Sequence, residues 1–315
     1  MDMNRVKVSC HIITYNQKDY IAQCIEGVLM QQTDFSIELV IGDDNSTDGT
    51  AEIVAQYARQ YPDLIKTNLR EVRGTGIPGK DNFLTTMEMC TGEYISLCDG
   101  DDYWTDPLKL QKQIDFLEAN PDYVLSFHKV TILKPDGEFV EDFITKVPEE
   151  YQGHETLARL GNYIHTPSVV FKNIVPAYSF EFYESPIGDY FLYMMLAEHG
   201  KLHYIKESMA VYRYGIGIYT SSTKLKQAHD HLKLFICLLS YSKKENIKKI
   251  LFERYLQAVS HLENCISNQY KEKFKFYYKY SKVKDYLNAN YKHPVKIMTM
   301  LFRKLSRNPN DKLNK

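Results

Sequence analysis

Short apolar runs alternate along the first half of the chain with segments whose apolar residues recur every third or fourth position. The run VKVSCHIIT at 6–14 predicts a buried strand. A polar turn leads into 20–32, where Ile21, Cys24, Ile25, Val28 and Leu29 line one helical face. The pattern then repeats as a strand at 37–42, a helix at 51–59 carried by Ile53, Val54 and Tyr57, and a strand at 64–69. Such short strand-helix steps predict a parallel sheet with helices on its faces. Beyond an irregular glycine-rich stretch at 71–80 come a helix at 82–90, a strand at 94–98 and a helix at 107–118. Pro107 falls in the first turn of that helix, where a missing amide hydrogen costs nothing. A strand at 123–133, a turn at Pro135-Asp136-Gly137 and a poorly patterned excursion at 138–160 follow. A strand at 166–171, a helix at 189–199 closed by Gly200, and strands at 202–205 and 209–214 complete this part. From 222 onward the chain reads as helix, with interruptions near Asn268 and Pro294.

Two strands end in acid. Asp43 and Asp44 close the strand at 37–42, and Asp99, Gly100, Asp101 and Asp102 follow the strand at 94–98. Carboxylates grouped in this way are paired, protonated or bound to a cation. The carboxyl ends of strands in open α/β sheets are also where ligands bind. Together these point to a divalent metal, Mn²⁺ or Mg²⁺, shared with a phosphorylated ligand, because hard cations take oxygen donors and use substrate phosphates. A calcium hand is excluded: counting from Asp99, the required Gly and Glu positions hold Trp104 and Leu110. Ser46, Thr47 and Asp48 are accounted for as helix-capping residues. Capping does not account for Asp43-Asp44, which are suited to a ribose hydroxyl or a base imide. Tyr15, just after the first strand, could stack on a base or simply pack.

Charge adds an asymmetry. Residues 241–315 carry 18 Lys/Arg against 6 Asp/Glu, whereas the rest carries 21 against 34. The basic end suits an anionic membrane surface, at roughly 1 kcal/mol per basic residue, and 297–302 reads as a short amphipathic interfacial segment. The acidic remainder opposes nucleic acid at the main pocket. The cysteines have no metal-like spacing, and no apolar signal core precedes the first strand, so a cytoplasmic protein is expected, peripheral on the inner face of a membrane.

The segments VSCHIITYN (8–16), IGDDNSTDGT (41–50) and GEYISLCDGDDYWTDP (92–107), with the looser GDYFLYMMLAEHG (188–200) and VYRY (211–214), resemble the family 2 glycosyltransferases. The resemblance spans about 6–215. It implies a GT-A fold: a Rossmann-like α/β domain with a mostly parallel sheet at 1–221, and a helical, basic extension at 222–315. The implied activity is metal-assisted, inverting transfer from a nucleotide-diphospho-sugar, with a UDP-sugar as the expected donor. The implied acceptor is a hydroxyl of a saccharide or lipid-linked saccharide, in surface-polysaccharide synthesis. By the same resemblance Thr14 and Tyr15 line the nucleoside pocket, Asp44 holds base or ribose with Asp43 beside it, and Lys80 contacts a phosphate. Asp99, Gly100, Asp101 and Asp102 form the DxD region, with Asp101 the leading metal ligand. Asp189 is the general base, and Arg213 and His203 fall near the acceptor. Where the family often has a His after the Tyr-Arg pair, this chain continues Gly215-Ile216-Gly217, which reads as a mobile lid. A nucleotidyltransferase would want a glycine- and basic-rich segment after the first strand, where Tyr15-Asn16-Gln17 stand. A non-catalytic nucleotide- or carbohydrate-binding protein would have no need of so repulsive a carboxylate set.

Overall fold

The computed structural model describes residues 5–175, 177–217 and 221–273, with side chains through 267. The chain divides into two compact units, Met1–Leu262 and Glu263–Lys315, and of the second only the end of one helix is described. The expected break at Pro294 and the amphipathic segment at 297–302 lie outside the described residues.

Among the described residues nine strands form one sheet. β1 (Val8–Thr14), β2 (Ile37–Asp43) and β4 (Tyr94–Asp99) are buried on both faces, which is why most of their positions are apolar. β1 lies between β2 and β4 and is parallel to both, and β3 (Ile65–Leu69) extends the sheet beyond β2. The order therefore reverses at β1, the switch point that opens a crevice at the carboxyl ends of the strands. Register fixes what faces it: Thr14 is level with Asp43 on one side, and Ile13 with Asp99 on the other.

The other half of the sheet corrects the expectation of a mostly parallel arrangement. β8 (Val170–Lys172) runs antiparallel to β4 and to β6 (Tyr123–Leu133). β5 (Tyr103–Trp104) and β7 (Phe139–Glu141) are also antiparallel, to β9 (Lys201–Arg213) and to β6. Only β6 and β9 run parallel here, so the sheet is mixed. The two strands expected at 202–205 and 209–214 are one, β9, which passes its polar middle through register shifts opposite His128 and Lys129.

Four helices follow the early strands: α1 (Ile21–Leu29), α2 (Thr50–Gln60), α3 (Lys80–Met89) and α4 (Lys109–Ala119). The short α5 (His154–Leu160) and α6 (Phe180–Glu184) occupy the excursion and the approach to α7 (Gly188–Ala197). Every residue of α7 from Tyr190 to Ala197 is buried, as expected of a helix apolar all round. α8 (Lys224–Tyr241) packs Phe235 and Leu238 inward, and α9 (Glu245–Lys273) runs unbroken through Asn268, where a break was expected. Among the described residues no helix is long and apolar enough to cross a membrane.

Candidate active site

The crevice at the switch point has three sides. The first is built by the loop after β2. Asp43 is buried and folds its own loop: its carboxylate accepts from the Ser46 amide at 2.8 Å and the Ser46 hydroxyl at 2.5 Å. Asn16 and Asn45 adopt positive φ (52° and 63°), which asparagine tolerates better than most residues. The Asn16 side-chain oxygen accepts from the Thr47 amide at 2.8 Å, locking the loop after β1 to the loop after β2. Asp44 has a different role. Its carboxylate faces Arg70 at 3.3 Å and Arg73 at 3.6 Å and accepts from the Gly74 amide at 3.3 Å. The Arg73 guanidinium lies 3.5 Å over the Tyr15 ring. Tyr15 and Asp44 thus stand together with two arginines that no sequence motif marks. Their only signal was position: basic residues just past β3, beside an acid ending β2.

The second side is the turn after β4. The Gly100 amide donates to the Ile13 carbonyl at 3.0 Å, which seats the turn under β1. A Cβ at Gly100 would lie 2.5 Å from the Gln17 side-chain oxygen and 2.8 Å from the Thr14 hydroxyl. Gly100→Ala is therefore expected to push Thr14 and Gln17 out of place and weaken nucleotide binding at least tenfold, which calorimetry with a nucleoside diphosphate would measure.

Asp101 and Asp102 are buried, whereas Asp99 keeps partial access. Asp102 accepts from the Arg213 amide at 2.8 Å. The Arg213 guanidinium donates to the Asp101 carbonyl and the Gln23 side chain, and it lies between the rings of Tyr20 (4.8 Å) and Tyr103 (4.7 Å). The β5–β9 pairing makes this contact, since it sets Tyr103 level with Val211. Removing Arg213 would strand a buried carbonyl and leave Asp101 and Asp102 without their nearby cation. Arg213→Ala is expected to cost about 3 kcal/mol, read as a lower urea midpoint at unchanged slope.

All three carboxyls of this turn are held above the ordinary aspartate range. Burial, then the charges of Asp101 and Asp189, push Asp99 up to about 8, opposed by a hydrogen bond with the Thr166 side chain. Burial raises Asp101 as well, against the Arg213 charge. Asp102 is raised well above by burial and its acidic neighbours, against the Arg213 amide. The cluster is thus short of positive charge. Among the described residues no three His, Cys, Asp or Glu side chains form a metal cage. Asp99 and Asp101 offer the hard oxygen donors that suit a Mg²⁺ or Mn²⁺ bound by one or two carboxylates and completed by substrate phosphates. Asp102, taken up by the Arg213 amide, fits less well.

The third side is the start of α7. Asp189 stands in its first turn, hydrogen-bonded by helix-start amides, and accepts from the Asn162 side-chain amide at 3.0 Å. Burial raises its carboxyl, while those amides, the Lys80 charge and Asn162 pull the other way. Its charge acts on Asp99, which brings the start of α7 near the β4 turn. Two tyrosines complete it. Tyr193, one turn along α7, is fully buried and feels Asp189 and Asp99. Tyr212 of β9 is raised by burial and then by Asp102, Asp99, Asp101 and Asp189. Both phenols stay protonated near neutrality and can donate hydrogen bonds.

Lys80 and His203 lie elsewhere than on an open phosphate or acceptor surface. The buried Lys80 ammonium donates to the Phe182 carbonyl at 3.0 Å. His203 stacks on Phe116 of α4 with centroids 3.3 Å apart.

Residues 9–178 match the model of glycosyl transferase family 2, and the chain belongs to that family. Its fold is GT-A-like. An uncharacterized protein of Mycobacterium tuberculosis, Rv1520, is 38% identical over 70% of this chain and 63% of its own length. The chain thus spans under two thirds of that relative. The UDP-Glc:alpha-D-GlcNAc-diphosphoundecaprenol beta-1,3-glucosyltransferase WfaP of Escherichia coli is 37% identical over 36% of this chain and 41% of its own. Among solved structures, S. aureus TarS in complex with UDP-GlcNAc superposes with a TM-score of 0.60 at 19% identity, covering 86% of this chain and 77% of TarS.

Proposed function

We propose that the protein transfers a sugar from a nucleotide-diphospho-sugar, a UDP-sugar by preference, to a hydroxyl of a saccharide or lipid-linked saccharide, inverting the anomeric centre. The observation that carries this reading is Asp189, a half-buried carboxylate in the first turn of α7 whose charge acts on Asp99 at the switch point. Tyr15 and Asp44, with Arg70 and Arg73, would hold the nucleoside, and Thr14 and Gly100 would flank the diphosphate. Asp99 and Asp101 would hold Mg²⁺ or Mn²⁺, which when bound stabilises charge on a departing diphosphate. Asp189 takes the proton from the acceptor hydroxyl as its oxygen attacks the anomeric carbon from the face opposite the nucleotide. A single displacement needs one base and no covalent nucleophile. The lipid-linked acceptor rests on the likeness to WfaP, whose acceptor is alpha-D-GlcNAc-diphosphoundecaprenol, and on the basic end of the chain. A location on the cytoplasmic face of a membrane is part of the same proposal, and most of that basic end lies outside the described residues.

The test is a donor screen: purified protein, Mn²⁺ and a panel of nucleotide sugars, read as nucleoside diphosphate released with and without acceptor. Release with none of them would overturn the reading. The rate should also depend on pH in one direction. Asp189 works only when ionised, and burial raises its carboxyl. Turnover should therefore be full above that raised pKa and fall as pH drops through it, at a pH above the usual ~3.9 of aspartate. A kcat–pH profile checks this.

A further inference from the structure

Lys80 is the first residue of α3, a helix fixed to the sheet from beneath. The Asn82 side-chain amide donates to the Gly42 carbonyl at 2.8 Å, and the Thr86 hydroxyl meets the His11 ring nitrogen at 2.7 Å. From this fixed base the Lys80 ammonium reaches Phe182 of α6 and the start of α7 at Gly188. Only 7% of the residue is exposed. Its one hydrogen-bond acceptor among the described residues is the Phe182 carbonyl, and it sits 4.0 Å from the Phe182 ring, the face a cation prefers. That ring in turn packs edge-on against Phe191 of α7, with centroids 5.6 Å apart.

The ammonium fits there because residue 188 has no side chain. A Cβ at Gly188 would stand 3.1 Å from the Lys80 ammonium nitrogen. Gly188 immediately precedes Asp189, so the ammonium rests on the turn that carries the base. A cation beside a helix N-terminus is ordinarily unfavourable. Here the Asp189 carboxylate on the same turn offsets it, and its charge supports that of Lys80.

We propose that Lys80 is a positioning residue for Asp189: its ammonium, seated in the space left by Gly188, holds the first turn of α7 against α3 so that the base faces the acceptor. This rests on the reading of Asp189 as the base. It differs from a phosphate-binding role, which needs the ammonium on the open side of the crevice.

The experiment is a cycle of Lys80→Met, Gly188→Ala and the double variant, with Asp189→Asn alongside, measuring kcat, donor KM and nucleoside-diphosphate affinity. Lys80→Met is expected to lower kcat 10- to 100-fold with donor KM and nucleotide affinity within twofold of wild type. Gly188→Ala should lower kcat several-fold by displacing the ammonium. The double variant should be no slower than Lys80→Met, since the added methyl then has nothing to displace. A raised donor KM with unchanged kcat in Lys80→Met, or fully additive losses in the double variant, would overturn the proposal. If Lys80→Met does not fold, Gly188→Ala decides alone: unchanged kcat sinks the proposal, and lost kcat with unchanged donor KM upholds it. Wild-type turnover in Asp189→Asn would instead remove the base reading, whatever Lys80→Met shows.

Discussion

Asp189→Asn should lower kcat about 10³-fold, within the range that general-base groups contribute, and leave nucleotide affinity as it was. Asparagine keeps the size of the side chain and can keep an oxygen toward the helix-start amides and the Asn162 amide, which donates to the native carboxylate at 3.0 Å. What it lacks is a basic oxygen for the acceptor proton. The fold should not suffer, because the substitution removes a carboxylate that is raised by burial and whose charge raises Asp99. The variant should therefore melt at or above the wild-type temperature. Nucleotide affinity separates this from a general collapse of the site, since Tyr15, Asp44 and Arg73 lie on the opposite side of β1. Turnover at the wild-type rate with folded protein and normal nucleotide binding would mean that another group accepts the proton.

The first half of this site was legible because its strands are buried on both faces. β1, β2 and β4 are mostly apolar, and their buried Ser9, His11, Glu38 and Ser96 each find a hydrogen-bond partner, so Asp43, Asp44 and Asp99 stood out as acids grouped at the strand ends. The parallel order of these strands follows from the short strand-helix steps between them. The second half gives no comparable signal. β8 has three residues and β5 two, too few for a periodicity, and nothing local states their direction. β9 carries Lys206, Glu207 and Ser208 in its middle, which reads as a break, yet its pairing with β6 continues past them through register shifts. The partner of Asp102 lies 111 residues away at Arg213. Such pairing is a property of the whole sheet and cannot be read from local spacing. Tyr193 was hidden for another reason: inside an all-apolar helix it looks like any core residue, and only the fold turns its hydroxyl toward acids.

The turn after β4 should show opposite responses in stability and activity. Asp99 is pushed up to about 8 by burial and by Asp101 and Asp189, against about 3.9 in an unfolded chain. The folded state therefore holds this proton more tightly than the unfolded state. Stability from this group is full at low pH and is lost as pH rises from about 4 toward 8, because folding must then force an ionised carboxylate into an acidic cluster. Asp99→Asn removes that penalty. In EDTA, its melting temperature should match wild type near pH 4.5 and exceed it by several degrees at pH 8.5, and Asp101→Asn should move in the same direction. Transfer should fall at least a hundredfold in both, because the donors for a divalent cation and its diphosphate are reduced. Addition of Mn²⁺ with a nucleoside diphosphate should raise the wild-type melting temperature strongly and that of Asp99→Asn little. Carboxylates kept only for the fold would behave the other way: their loss would lower the melting temperature at every pH and leave transfer in proportion to the folded protein remaining. Melting curves at the two pH values, run beside transfer rates on the same samples, separate a site that holds repulsion in reserve for a cation from one that merely tolerates it.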